Sequence, residues 1–79
     1  MKMKNDFFET SDMALCVTLC ALGFTLDCVD RSNPPRAVFV IQREEGLDET
    51  IQRYWSHSLA VDPLAYSATQ KNIKSRLYQ

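Results

Sequence analysis

Four side chains of this 79-residue chain have the chemistry of metal ligands or nucleophiles: three cysteines and a single histidine. Cys16 and Cys20 are four residues apart, so they face the same side of any helix that contains both. Together with Cys28 and His57 they would complete a Cys3His zinc site, but structural zinc sites usually place a close cysteine pair on a turn. Free cysteine also packs as a small hydrophobic residue. We therefore expect three reduced, buried thiols and neither metal nor cofactor.

Catalytic signatures are missing from the sequence. A cysteine nucleophile needs an accessible thiol of low pKa and a nearby base, for which His57 is the only histidine. The chain contains no G-x-S-x-G, Walker, H-E-x-x-H or G-x-G-x-x-G motif. We therefore expect a protein that is not an enzyme and has no catalytic residues.

Three arginines form a candidate anion-binding group. Arg31, Arg36 and Arg43 flank a predicted hairpin, which would bring the first two guanidinium groups close together. Paired guanidinium groups bind phosphate well. The plainer interpretation stays open: a solvated loop in which Asp30 pairs with one arginine and contributes little energy.

Two lysines extend this basic group. Lys71 and Lys74 lie on one side of the last predicted helix, where they could contact a nucleic-acid backbone. Cations near a helix C-terminus are also expected from its dipole alone. The net charge of −1 is low for a dedicated nucleic-acid-binding protein.

The run from Met13 to Leu22 is apolar except for Thr18 and predicts a helix that is apolar on every side. Such a helix has to be surrounded, and a short chain has little protein with which to surround it. We therefore expect a homodimer or small homo-oligomer, because C2 dimers are the commonest solution. For Trp55 the simpler interpretation is that it anchors the second helix on the sheet. The candidate interface residues are Met13, Val17, Cys20, Tyr54 and Trp55.

Local signals predict the element order β-α-β-β-α-α. Thr10 or Ser11 is the expected cap of the first helix and Gly23 its stop. The next strand should bury Phe24, Leu26 and Cys28 on one face. The predicted segments are strands at 7–10, 24–29 and 37–41, a turn-rich loop at 30–36, and helices at 13–22, from 47 to about 55, and 63–77.

These segments indicate an α+β fold. We predict one small domain at residues 7–79, preceded by a flexible N-terminus at residues 1–6. Its three-stranded, mainly antiparallel sheet should have the order 2-3-1 and be covered by helices. This arrangement keeps the β-α-β crossover right-handed without knots.

Several short motifs along the chain form a recognisable set in their order and spacing. They are Phe8-Glu9-Thr10-Ser11-Asp12-Met13-Ala14-Leu15, Gly23-Phe24, Asp30-Arg31-Ser32, Val38-Phe39-Val40, Tyr54-Trp55 and Val61-Asp62-Pro63. Together they resemble an uncharacterised family of small bacterial and phage proteins, the DUF5659 domain of unknown function. The resemblance spans about Phe7 to Leu77 and implies a bacterial, phage or mobile-element setting but no activity.

Three functions are compatible with the sequence. The first is a non-enzymatic protein-interaction module that forms homo-oligomers. The second is a small nucleic-acid-associated regulator that binds phosphate through the arginine hairpin and the basic last helix. The third is a phage counter-defence protein that binds a host protein or a small anionic ligand. We expect a cytoplasmic protein without membrane contact, because the apolar run is too short to span a bilayer and no secretory signal is visible.

Overall fold

The computed structural model describes residues 6–33 and 35–78. Within these residues the chain forms six elements in the predicted order. The predicted flexible terminus, residues 1–6, lies outside the described residues except for Asp6. The elements are β1 (Phe7–Thr10), α1 (Met13–Ala21), β2 (Leu26–Asn33), β3 (Arg36–Gln42), α2 (Leu47–Trp55) and α3 (Pro63–Leu77).

The strands form one antiparallel sheet in the order β1-β3-β2, which confirms the predicted order. The central strand is β3, where Val40 pairs with Glu9 of β1 on one side and with Cys28 of β2 on the other. Phe39 and Ile41, which alternate with Val40, are buried in the core. One face of the central strand therefore enters the core.

A register shift near the start of β2 changes which side chains face the core. Leu26 and Cys28 are two residues apart, yet they pair with neighbouring residues of β3. Leu26 and Val29 pack against the core, whereas Cys28 is exposed. The prediction that Cys28 shares a buried face with Phe24 and Leu26 is wrong, because an extra residue in the strand reverses its alternation.

The two strands of the hairpin continue through most of the segment that was predicted to be a loop. β2 extends to Asn33, which pairs with Arg36 at the start of β3. The Asp30 carboxylate accepts hydrogen bonds from the backbone N–H (2.9 Å) and the hydroxyl (2.6 Å) of Ser32. The longer strands hold Arg31 and Arg36 on opposite arms of the hairpin.

Both ends of α1 have recognisable caps. The Asp12 carboxylate accepts a hydrogen bond from the backbone N–H of Leu15 (3.2 Å), and Thr10 Oγ1 accepts one from the N–H of Asp12 (3.1 Å). The N-cap is therefore Asp12, and the prediction of Thr10 or Ser11 is wrong. Gly23 follows the helix with φ of 107°, a conformation that glycine adopts without strain.

The chain itself surrounds most of α1. This helix contacts β1, β3, α2 and α3, and its central residues, 15–19, are buried. Its apolar character on every side is thus explained within one chain. Val17 is 0% exposed, so its assignment to an interface is wrong: it already packs in the core.

The last two helices complete this packing. Leu47 of α2 is buried, and Ile51 and Tyr54 pack against the core. Trp55 is 59% exposed, so the prediction that it anchors α2 on the sheet is wrong. Successive helical residues point about 100° apart, and here Tyr54 occupies the inward position. The rings of Tyr54 and Trp55 meet edge to face, with centroids 4.9 Å apart.

The start of α3 follows its sequence signals. The Asp62 carboxylate accepts a hydrogen bond from the backbone N–H of Ala65 (2.8 Å), and Pro63 occupies the first helical turn. Proline suits this position because its missing N–H would have no partner there. Ile73, near the other end of α3, is buried against the core. Tyr66, near the start of α3, also packs against the core, so the helix contacts the core in both halves.

Candidate functional site

An open cavity lies where the hairpin meets the C-terminal end of α3. We call it the arginine cleft. Its volume is about 550 Å³. Two arginines line it together with an aromatic residue, Tyr78, which is 77% exposed. The lining residues are Arg31, Pro35, Arg36, Ala37, Leu77 and Tyr78.

Hydrogen bonds position both arginines of the cleft. Arg31 Nη1 donates to the backbone carbonyl of Leu77 (2.7 Å), which ties β2 to the end of α3. Arg36 Nε donates to the hydroxyl of Ser11 (3.0 Å), next to the N-cap of α1. The Ser11 hydroxyl is a neutral acceptor, so it orients the Arg36 guanidinium without compensating its charge. The predicted approach of Arg31 and Arg36 is seen in this shared cavity.

The Asp30 carboxylate is bonded to Ser32, and no ion pair joins it to an arginine among the described residues. Its two hydrogen bonds from Ser32 hold the pKa of the Asp30 carboxyl below its ordinary value, and its slight burial acts in the opposite direction. The plainer interpretation of the hairpin, in which Asp30 pairs with an arginine, is not what these bonds show.

The two predicted lysines lie on α3 before Tyr78. Lys71, Lys74 and Tyr78 are all exposed. The backbone N–H of Tyr78 donates to the carbonyl of Lys74 (3.0 Å), so these two residues lie in consecutive turns. Lys71 is about 10 Å from Tyr78 along the helix axis, given a rise of about 1.5 Å per residue. The helix therefore carries two exposed cations in the turns that precede Tyr78, which lines the cleft.

Arg43 does not belong to this group. It follows the last residue of β3, about 23 Å along the strand from Arg36 at about 3.3 Å per residue. Its guanidinium forms an ion pair with Asp48 of α2, and its backbone N–H donates to the carbonyl of Asp6 (2.7 Å). The expectation that Arg43 shares an anion site with Arg31 and Arg36 is wrong, because the two ends of a strand lie far apart.

The three thiols have three different environments. Cys16 is buried, as predicted, Cys20 is half-buried and Cys28 is exposed. The hydrogen bond between Cys16 and Cys20, together with burial, raises the pKa of the Cys16 thiol. The same bond lowers the pKa of the Cys20 thiol, although burial acts against it. Burial and the neighbouring Asp27 raise the pKa of Cys28. The thiols are thus not equivalent in reactivity.

His57 lies apart from the thiols. It lines a cavity of about 330 Å³ with Tyr54 and Tyr66, at a point where the backbone has φ of 60°. A Cys3His site would need this imidazole beside Cys16, Cys20 and Cys28. In the part of the chain that the structure describes, no three histidine, cysteine or acidic side chains are arranged to hold a metal ion.

The remaining interface candidates are unevenly exposed. Met13, Cys20 and Tyr54 are half-buried and pack against the core, whereas Trp55 is mostly exposed. With Val17 in the core, Trp55 alone of the five presents a large free apolar surface.

Sequence reasoning missed two residues that the geometry makes prominent. Arg76 lines a groove with Cys20, and Ser11 accepts a hydrogen bond from Arg36. The spacing of Arg76 from Thr69 and Ile73, at i+7 and i+3, could have placed it on the inward side of α3. No sequence pattern could have indicated the bond between Ser11 and Arg36, because the two residues are 25 positions apart.

Comparisons with known proteins identify the family and nothing finer. Among the described residues no helix combines the length and apolar character that crossing a bilayer requires. No curated protein and no solved structure gives a significant match. Residues 5–79, nearly the whole chain, match the family described as "Domain of unknown function (DUF5659)". The chain therefore belongs to this family of unknown function.

Proposed function

We propose that this protein is a small non-enzymatic binding module that takes phosphate groups into the arginine cleft, as a nucleic-acid-associated regulator. One observation carries the proposal: Arg31 and Arg36 line the same cavity with the exposed ring of Tyr78. Guanidinium groups form strong charge-assisted hydrogen bonds with phosphate oxygens. An exposed aromatic ring beside a cationic groove is the usual arrangement for binding single strands, because bases stack on the ring.

The charge of Arg36 supports this choice of ligand. Within residues 6–33 and 35–78 no carboxylate pairs with Arg36, whose bond goes to the Ser11 hydroxyl. Lys71 and Lys74 extend the cationic surface along α3, so a strand whose base stacks on Tyr78 would pass its backbone over them. A binder with three or four phosphate contacts and a net charge of −1 would be weak and sensitive to salt.

The test is the binding of a labelled single strand of about 12 nucleotides, followed by fluorescence anisotropy. Between about 50 and 200 mM salt we expect the logarithm of the association constant to fall with a slope of about −2 to −3, as for three or four phosphate contacts. Arg36→Gln should weaken binding about tenfold, as loss of one charged hydrogen bond worth about 1.5 kcal/mol would.

Arg53→Gln is the matched control, since it removes the same charge from α2, outside the cleft. It should bind as the native protein does. Equal losses in both variants, or no binding at the lower salt concentration, would contradict the proposal.

A phage counter-defence protein that sequesters a small anionic ligand would use the same cleft. Its volume of about 550 Å³ lies within the usual range for small-molecule sites. Free nucleotides as competitors separate the two cases. A nucleotide that displaces the strand and binds more tightly than it would favour the small ligand over the nucleic acid. A cytoplasmic setting in a bacterium, phage or mobile element goes with either case.

The second candidate is the homo-oligomeric interaction module, and exposed Trp55 favours it. Large aromatic residues are enriched in interfaces, and this ring is 59% exposed at the end of α2. If Trp55 lies between two copies, light scattering should give a multiple of 9.1 kDa, and Trp55→Ser should restore the monomer without unfolding it. A monomeric native protein would remove this candidate.

A further inference from the structure

A groove separate from the arginine cleft lies between the end of α1, the start of β2 and α3. Its volume is about 360 Å³. Cys20 contributes a half-buried thiol and Arg76 a guanidinium group, while Phe24 and Leu26 form an apolar wall. The groove therefore combines a nucleophile, a cation and an apolar surface.

Arg76 has no acidic partner among the described residues, although it is half-buried. It lines this groove with Cys20 and a second cavity with Cys28 and Arg31. Its charge adds to the lowering of the pKa of Cys20 and opposes the rise in the pKa of Cys16 and Cys28. Removing a charged group partly from water costs free energy unless an opposite charge compensates. A guanidinium in this position is suited to an anion that enters the groove.

The surroundings distinguish Cys20 from the other two thiols. Cys16 is fully buried and is out of reach of any reagent. Cys28 is exposed, but partial desolvation and the neighbouring Asp27 and Asp30 raise its pKa against the opposing charge of Arg76, so little of it is thiolate at neutral pH. Cys20 is accessible from the groove, and its hydrogen bond with Cys16 lowers its pKa despite the opposing effect of burial. The thiolate is the reactive form of cysteine.

We propose that Cys20 and Arg76 form a modification site, at which Cys20 is thiolated by a small disulfide that carries carboxylates, of the class of oxidised glutathione. Arg76 holds a carboxylate of the reagent, and Phe24 and Leu26 contact its methylene groups. The Cys20 thiolate attacks one sulfur of the disulfide, and the new S–S bond forms as the old one breaks. The other half leaves as a thiolate, which takes a proton from water. Cys20 is oxidised and the reagent is reduced by the same two electrons.

The test uses the full chain with two disulfide reagents, anionic dithiobis(nitrobenzoate) and neutral dithiodipyridine. Peptide mapping by mass spectrometry identifies the modified thiol. With the anionic reagent at neutral pH we expect Cys20 to react about tenfold faster than the more exposed Cys28, and Cys16 not to react. The rate at Cys20 should also rise at a lower pH than the rate at Cys28.

Two variants separate the charge of Arg76 from its packing. Arg76→Gln should reduce the rate at Cys20 about tenfold with the anionic reagent and much less with the neutral one. Arg76→Lys should keep most of the preference for the anionic reagent, and Cys28→Ser should leave the rate at Cys20 unchanged. A faster reaction at Cys28, or equal effects of Arg76→Gln on both reagents, would overturn the proposal.

Discussion

Arginines stand at both ends of β3, and their surroundings differ. Arg43, just beyond the end of the strand, has a side chain that is 31% exposed and forms an ion pair with Asp48. Its backbone N–H donates to the carbonyl of Asp6. Arg36, at the start, is exposed and donates to the neutral hydroxyl of Ser11. The first charge is compensated within the fold. The charge of Arg36 has no carboxylate partner among the described residues, and it lies in the cleft that contains Arg31.

This difference separates a structural cation from one that can bind a ligand. An arginine already paired with a carboxylate would have to give up that partner to bind phosphate, whereas an arginine oriented by a hydroxyl would not. The same contrast applies to the acids, since Asp48 pairs with Arg43 but Asp30 bonds to Ser32. Residue type alone does not reveal it, because the partner of each arginine depends on the packing.

Removal of both cleft arginines should have the largest effect on binding. Arg31→Gln together with Arg36→Gln should weaken single-strand binding about 100-fold, if each lost bond contributes about 1.5 kcal/mol. Because Arg31 also bonds to the Leu77 carbonyl, the free energy of unfolding should fall by about 1 kcal/mol. Anisotropy measures the first effect and urea denaturation the second. An unchanged affinity would show that the cleft is not the binding site.

The aromatic ring of the cleft should have the next largest effect. Tyr78→Ala removes the exposed ring and should weaken single-strand binding about tenfold, since base stacking contributes about 1–3 kcal/mol. Binding of duplex DNA should change little, because stacked bases are not available to the ring. The two oligonucleotides are compared by anisotropy at one salt concentration. Equal losses for both would mean that Tyr78 acts through the shape of the cleft.

Substitution of Arg43, at the other end of β3, should change the free energy of unfolding only slightly. Arg43→Met removes the ion pair with exposed Asp48, but it also removes a buried Nε that makes no hydrogen bond. Surface ion pairs contribute at most about 1 kcal/mol, and an unsatisfied buried donor is unfavourable. The free energy of unfolding should therefore change by less than about 1 kcal/mol in urea denaturation. Weaker single-strand binding in this variant would contradict the view that Arg36, and not Arg43, contacts the ligand.

The smallest effect concerns pH. The pKa of Asp30 is lower in the fold than its ordinary value because Ser32 donates to it. Its contribution to stability is therefore present at neutral pH and is lost as the pH falls through the lowered pKa. In an acid titration followed by NMR, the amide of Ser32 should shift over that range. Asp30→Asn should abolish this shift and leave the affinity of the cleft unchanged at neutral pH.

Much of the fold could be predicted because its signals are local. Asp62 and Pro63 mark the start of α3, Gly23 marks the end of α1, and the apolar segment 37–41 indicates the central strand. The position of Cys28 could not be predicted, since one extra residue in β2 reverses which side chains face inward. Nor could the burial of Val17, which depends on how α2 and α3 pack over α1.

The candidate site was predictable in part for the same reason. A hairpin brings its two arms together, so Arg31 and Arg36 could be placed side by side from the sequence. Arg43 lies too far along the strand to share the cleft. The residues that bond to the cleft arginines come from distant segments. Ser11 and Leu77 are 25 and 46 residues from the arginines that they hold. Contacts over such separations depend on tertiary packing, which has no local pattern.

An NMR titration of the isotopically labelled protein with a short single strand locates the binding site directly. Binding in the arginine cleft predicts that the largest amide shifts fall at Arg31, Arg36, Ala37 and Tyr78, the residues that surround the cavity. The amides around Arg43 and Asp48 should stay in place. Shifts centred on Arg43, or on Trp55 alone, would contradict a difference in function between the two ends of β3.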